Sequence, residues 1–404
     1  MVERRRAMGA EVQEQELAGL RWLVLTGERS AVFRTLGDTT RADIHAVQDA
    51  LPEREALRAR TADGPGRARL ARLLHRTETH WPVQVAELRD LATGAGLPFD
   101  DLLRANLRGD LGTDDGTGCT DLGWRRTRSR VAHNEDGAPA LDGRLMLLTL
   151  RIDGEAPVTV QWYPGFLSAN TFTATGHGLV WGINHIQVAA PADAPGRHFV
   201  ARAMQQARTL DEALHHLSTH AGAGGFAYTL GEAATGRVAV VESAAGRTAA
   251  HEVRTGAPLQ WHTNHLRRLP AALDAPANTL GDLPGESPVA FPGDSPVASG
   301  ESPVAGPATQ AARSLGQYEE SVARGAALDR LPLPDTEPDA DWFLQVLTGA
   351  PLPHGVHRTA AGTDPLMTLC TAVADLTEDR ITVRGPDGRT AELPLSSYAR
   401  GETS

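Results

Sequence analysis

The sequence predicts an α+β layered domain with antiparallel sheets, on three observations. Apolar residues recur at 3–4 spacing through most of the first hundred residues. From Leu141 the period changes to the alternation of strands separated by Asp-Gly or Gly-rich turns. Strands and helices are then mixed in an order that suits packed layers around one core. The 404 residues can bury a large core and suggest one big domain or two ordinary ones.

Residues 10–110 are predicted mostly helical after a short strand-like run, Trp22 to Thr26, with helical spacing over Arg41 to Arg60 and Arg67 to Leu91. Strands are predicted at Leu145 to Ile152, Val158 to Tyr163, Leu179 to Ile186, Tyr228 to Leu230 and Val238 to Glu242. A helix is predicted between them, around Phe199 to His220, and further helices at Arg313–Arg324 and Asp341–Leu347. The chain closes with strands near Leu366–Val373, Arg380–Arg384 and Thr390–Leu395. Gly285-Glu286-Ser287-Pro288-Val289-Ala290 recurs twice with small changes by Ala305, and proline in each copy predicts a solvated loop insertion over residues 284–307.

Composition removes several functions. A net charge of −11 argues against a nucleic-acid or anionic-membrane surface. Two cysteines give neither a disulfide framework nor a four-cysteine zinc site, so a reducing compartment is the default. The basic start, Met1 to Arg6, lacks an apolar segment behind it, and no run approaches the ~20 apolar residues of a membrane span. These features predict a cytoplasmic protein. All 39 basic residues are arginine, which excludes a pyridoxal Schiff base, a P-loop lysine and a Ser-Lys dyad. The histidines form no His-Glu-x-x-His motif, and His262-x-x-His265 sits by a strand end, so no metal and no cofactor are expected.

The chemistry concentrates at Gly118-Cys119-Thr120. Glycine offers no side chain to block attack by the neighbouring thiol on its carbonyl. Scission there makes Cys119 a new N-terminus whose α-amino group, titrating near ~7.7–8.0, can take the thiol proton. Gly-Cys alone also fits a small buried hydrophobe, the commoner fate of a free cysteine.

Further motifs fall in order around it. Glu87 to Leu97 with Asn106, Asn134-Glu135-Asp136, Tyr163-Pro164-Gly165, Asn184, Glu242-Ser243 and His262-Thr263-Asn264-His265 follow one another along the chain. Together these resemble the acyl-CoA:6-aminopenicillanic acid acyltransferase family, autoproteolytic cysteine enzymes among the N-terminal-nucleophile hydrolases. The resemblance implies a four-layer αββα sandwich and self-cleavage between Gly118 and Cys119. It implies a small chain of residues 1–118 and a large chain of 119–404. It also implies acyl groups carried as a Cys119 thioester, then passed to water or an amine.

On the same ground Asn264 is the expected oxyanion donor, with backbone N–H groups at His133-Asn134 as a second one. Asp136 is the carboxylate beside the nucleophile. The family's arginine is expected at Arg313, although Arg313-Ser314 reverses the family's Ser-Arg order. Trp162, Tyr163, Phe166 and Asn184 are expected to contact substrate, with plain packing the commoner role of such aromatics. The substrate is expected to be a small amide or thioester, acyl-CoA included. Three alternatives remain: an amide hydrolase of the bile-salt or ceramide type on the same fold, a non-catalytic binding scaffold, and a papain-like Cys-His enzyme drawing its base from His133, His177, His262 or His265.

Overall fold

A computed structural model describes residues 3–7, 9–112, 118–169, 171–270, 307–362 and 364–403, with the side chains of 3–7 and 307–317 outside the description. The elements begin with strands β1 (Glu3–Ala7), β2 (Ala10–Leu17) and β3 (Leu20–Gly27). Helices α1 (Arg29–Thr39), α2 (Arg41–Ala50), α3 (Arg54–Arg60), α4 (Gly64–His80), α5 (Pro82–Ala95) and α6 (Phe99–Asn106) follow. Next come β4 (Thr120–Arg125), β5 (Ser129–Gly137), β6 (Met146–Ile152), β7 (Val158–Trp162), β8 (Thr173–Thr175) and β9 (Leu179–Ile186). After α7 (Arg197–Met204) and α8 (Leu210–Thr219) the chain adds β10 (Gly225–Glu232), β11 (Val238–Ala244), β12 (Arg247–Glu252) and β13 (Leu259–His262). It ends with α9 (Pro307–Asp329), α10 (Ala340–Thr348), β14 (Met367–Asp375), β15 (Arg380–Arg384), β16 (Thr390–Pro394) and α11 (Leu395–Arg400).

The described strands form a ten-stranded sheet, β1-β2-β3-β6-β7-β8-β9-β10-β11-β12, and a six-stranded sheet, β13-β4-β5-β14-β15-β16. Every pairing is antiparallel except β3 with β6. The two sheets face each other through β4 and β5 against β9, β10 and β11. Trp22, Val24, Leu147, Ala174 and Val180 of one sheet interleave with Val131, Ala372, Ile381 and Val383 of the other. Alternate residues of β3 and β6, such as Leu23, Leu25, Leu148 and Leu150, turn the other way into a core beneath α1 and α5. On the far side, Leu122, Trp124 and Val373 pack with Leu328 of α9 and Phe343 and Leu347 of α10. Helices, sheet, sheet, helices: the layers are those of an αββα sandwich, as expected.

Local chemistry explains the departures from expectation. The single long helix expected over Arg67 to Leu91 is two, because Trp81 precedes Pro82 and a residue before proline is pushed out of the helical region. Pro82 opens α5, where its missing N–H costs nothing. Leu51-Pro52 likewise divides Arg41–Arg60 into α2 and α3. The expected 199–220 helix splits too, with Thr209 capping α8 through a bond from the Glu212 N–H. Sequence reading passed over β2, β4 and β5 as strands. The repeat insertion at 284–307, save Pro307 at the start of α9, lies outside the described residues, as does the stretch 113–117 ahead of Gly118.

Candidate active site

Cys119 immediately precedes β4, whose register with β5 pairs Thr120 with Asn134 and Asp121 with His133. Continuing that register sets Cys119 opposite Glu135. Period-2 alternation then sends Cys119, Asp121, His133 and Glu135 to one face and Thr120, Asn134 and Asp136 to the other. The contacts agree. His133 stacks at 6.3 Å on Phe172 of the inter-sheet core, whereas the Asn134 amide donates to Leu347 O of α10 at 2.7 Å.

The inter-sheet face holds a buried chain of charge. His133 Nδ1 lies 2.7 Å from Asp121 Oδ1 and Nε2 lies 3.0 Å from Glu135 Oε2, while Tyr163 Oη donates to Glu135 Oε1 at 2.9 Å. Burial disfavours an imidazolium, yet the two carboxylates outweigh it and hold His133 up at about 10. Among the described residues, Cys119, His133 and Glu135 are the one group of three possible metal-ligating side chains whose atoms lie within 4.8 Å of one another. Both imidazole nitrogens are taken by carboxylates, so the group fits an ion-pair network and leaves no nitrogen lone pair for an ion. Room for it comes from Gly182 of β9, where a Cβ would run into Asp121 Oδ1 and His133 Nδ1.

The opposite face supplies arginines. Arg324 of α9 is fully buried and donates Nη1 to Cys119 O at 2.8 Å and to Thr120 Oγ1 at 2.9 Å, and Nη2 to Asn264 Oδ1 at 2.6 Å. Arg358 bonds Asp364 Oδ1 through Nε at 2.9 Å and Nη2 at 2.6 Å, and its Nη1 sits 2.9 Å from Glu320 Oε2. That Nη1 fills the space where Gly118 would carry a side chain, alongside Leu366 Cδ1. Asp136 accepts from Thr368 Oγ1 at 2.6 Å while its Oδ2 is buried without a hydrogen bond. Burial raises the Asp136 carboxyl to about 7 against the pull of Arg358, Thr368 and Arg324. Burial, with Glu135 and Asp136 adding to it, also lifts the Cys119 thiol well above its ordinary range. The thiol is therefore neutral at pH 7 in the intact chain.

Asn264 lies on the half-exposed side of the site, its Nδ2 donating to His185 O at 2.9 Å and its backbone N–H to Ser321 Oγ at 2.7 Å. Its loop is pinned by Glu242, whose carboxylate collects the N–H groups of Arg267, Arg268 and Leu269 at 2.6–3.1 Å. Against the opposing effect of burial, the His262 ring and those N–H groups draw Glu242 down to about 2. Ser321 and Arg324, three apart on α9, share one helical face and both hold Asn264.

The expected residues thus separate. Asp136, Asn264 and Gly118 stand around Cys119, and Tyr163 reaches it through Glu135. Asn184 lies on the same sheet face as Gly182, donates to His262 O at 2.9 Å and keeps a buried, unbonded Oδ1. Phe166 packs edge-on to Tyr163 with the Arg108 guanidinium 4.4 Å over its ring. Trp162 is a correction: it points to the opposite face of β7, into the core beneath α1 and α5, because neighbours along a strand alternate sides. Arg313 has no described contact. It lies three turns before Arg324 on α9 with its side chain outside the described residues, and the arginine bonded to Cys119 is Arg324. Sequence reading gave no role to Arg324, Arg358, Asp121 or Glu135, whose parts in the site follow from contacts made across the fold.

A family model described as acyl-coenzyme A:6-aminopenicillanic acid acyl-transferase matches residues 124–389, more than half of the chain. The match takes in Asp136, Asn264, Arg324 and Arg358 and begins just beyond Cys119. A search of the curated proteins returns no match. Among solved structures, a mutant conjugated bile acid hydrolase from Clostridium perfringens is similar at 11% identity and a TM-score of 0.38, covering 70% of this chain and 94% of its own. Penicillin V acylase from Agrobacterium tumefaciens is similar at 14% identity and a TM-score of 0.30, covering 68% of this chain and 76% of its own.

Proposed function

Because this chain belongs to the acyl-coenzyme A:6-aminopenicillanic acid acyl-transferase family, enzymes of acyl transfer and amide hydrolysis, we propose that Cys119 is its nucleophile and that the chain cuts itself between Gly118 and Cys119. Scission leaves residues 1–118 and 119–404 and frees an α-amino group beside the sulfur. That amine titrates near ~7.7–8.0, so it accepts the thiol proton at neutral pH where the buried thiol alone cannot lose it. The thiolate attacks the carbonyl of a small amide or thioester, forms a Cys119 thioester, and passes the acyl group to water or an amine.

The observation that carries this reading is Arg324, which ties the backbone carbonyl of Cys119 to the side chain of Asn264. It fixes the nucleophile and an uncharged amide in one frame. One Asn264 N–H is given to His185 O; the other is free to serve a developing oxyanion, a contribution of about 2.7–4 kcal/mol in related sites. Asp136, Tyr163, Phe166 and Asn184 border this frame and are assigned to orienting the amine and receiving substrate. Gly118 fits its role because Arg358 leaves no room for a side chain there. The pieces stay together after cutting, since β3 of the small piece pairs with β6 of the large one and their residues share a core.

Intact mass of the freshly purified chain tests the proposal. Two fragments meeting at Gly118 and Cys119, and a single uncut chain from Cys119→Ala, are expected. An uncut wild type that turns over substrate would overturn it.

A further inference from the structure

Self-cleavage raises a problem that the mature enzyme does not have: before the peptide bond breaks there is no α-amine to take the Cys119 proton. The structure offers a substitute on the inter-sheet face. Cys119 Sγ lies within 4.8 Å of both His133 and Glu135. His133 faces a carboxylate at each ring nitrogen, at 2.7 and 3.0 Å, and an imidazole between two carboxylates satisfies both only when it carries both protons. It has no lone pair with which to accept another. Asp136 is on the other side of β5, bonded to Thr368. Asp121, on the same face, falls outside that group of three, which leaves Glu135.

The geometry points to Glu135 as the general base of self-cleavage, a role that rests on the proposed scission at Gly118. Glu135 takes the Cys119 thiol proton, and the sulfur bonds to the Gly118 carbonyl carbon. The resulting tetrahedral adduct collapses by breaking the Gly118–Cys119 C–N bond, with the proton on Glu135 passing to the departing Cys119 nitrogen. This leaves Gly118 esterified to Sγ and a free α-amine. Water then hydrolyses the thioester, releasing the Gly118 carboxylate and restoring the thiol, so the net change is the addition of one water. His133, locked between Asp121 and Glu135, and Tyr163, donating to Glu135 Oε1, are positioning residues that hold the carboxylate in place. Gly182 keeps the space for them.

The test follows disappearance of the full-length chain by intact mass during cell-free synthesis. Removal of a general base is expected to slow self-cleavage by about 100-fold or more. Glu135→Gln should therefore persist uncut with a circular-dichroism spectrum and melting transition like those of the wild type. Glu135→Asp, which keeps the carboxylate, should recover at least tenfold over the Gln variant, a recovery that a packing role would not produce. A folded Glu135→Gln chain cut at the wild-type rate overturns the inference while leaving the proposed function standing. If the Gln variant does not fold, the Asp variant decides by comparison with Cys119→Ala: cutting supports the inference, and a folded Asp variant as inert as Cys119→Ala overturns it. A wild-type chain that is never cut overturns the proposed function itself.

Discussion

Strands β5 and β6 are both deeply buried, with Arg151 of β6 the one half-exposed residue, and have opposite compositions. In β6, Met146, Leu147, Leu148, Leu150 and Ile152 fill apolar cores on both faces of the large sheet. In β5 all nine residues are buried as well, yet Arg130, His133, Asn134, Glu135 and Asp136 are among them. Burying such groups is tolerated only where partners replace water. Arg130 has Asp375 at 2.6 Å, Asn134 has Leu347 and Thr371, and His133 has two carboxylates. The exceptions include Asp121 Oδ2 and Asp136 Oδ2, which flank Cys119 in the β4–β5 register. β6 is held by its packing, whereas β5 spends part of its stability on holding chemistry. We take that difference as the main physical lesson of the molecule.

Substitutions on the two sides should separate stability from reaction. Arg324→Ala strips a buried cation from Cys119, Asn264 and Glu320 and is expected to cost about 3–5 kcal/mol. Acyl turnover should fall further than the loss of folded protein explains, as denaturant titration beside an activity assay would reveal. Trp181→Ala, in the apolar core beneath α7 and α8, should cost a similar ~3–5 kcal/mol. The folded fraction of that variant should still cut itself at the wild-type rate. Equal loss of cutting in both variants would erase the distinction between the sheets.

Acidity gives a second contrast, because the buried titrating pair Asp136 and His133 belongs to the site sheet. The folded chain holds a proton on Asp136 up to about 7 whereas the unfolded chain releases it near ~3.9, so stability falls as pH rises between those values. His133 is held at about 10, above its unfolded ~6.5, so its contribution is complete below 6.5 and lost as pH rises through 10. Both trends run downward with alkali. Melting temperatures should decline between pH 7 and 10 as His133 gives up its proton. Below pH 7 the Asp136 trend is opposed by His216 and His265, which burial holds down at about 4, so Asp136→Asn should steepen the rise there. A flat profile in the wild type would contradict the assigned ionisations.

Smaller effects come from glycines. Gly182→Ala drives a methyl into Asp121 and His133 and should cost about 1–3 kcal/mol. Gly64→Ala, with nothing within 4 Å and at the start of α4, should instead add about 0.4–1 kcal/mol. Chemical denaturation of the pair would test whether crowding is specific to the site.

The same contrast explains what could be read from sequence. β9 and β15 have the bounds that their patterns predict, 179–186 and 380–384, since apolar strands announce themselves by composition. β4 and β5 do not, because Asp121, Gly123, His133, Asn134, Glu135 and Asp136 read as turn and loop residues. Their burial is a tertiary fact, supplied by Gly182, Tyr163 and the arginines. Trp162 was misplaced by one step of strand parity, a detail set by register alone. Arg324 escaped notice because a helix after the repeats delivers it from across the fold, and no local pattern records where that helix lands.

The most direct measurement asks whether Cys119 carries a free amine and a free thiol together. A cyanobenzothiazole reagent condenses with 1,2-aminothiols and leaves internal cysteines, Cys370 included, without a stable ring adduct. Active wild-type protein should gain one such adduct, mapped to the first residue of the 119–404 fragment, and lose acyl turnover in step with labelling. Active protein that takes up no adduct, its Cys119 still joined to Gly118, would contradict the account.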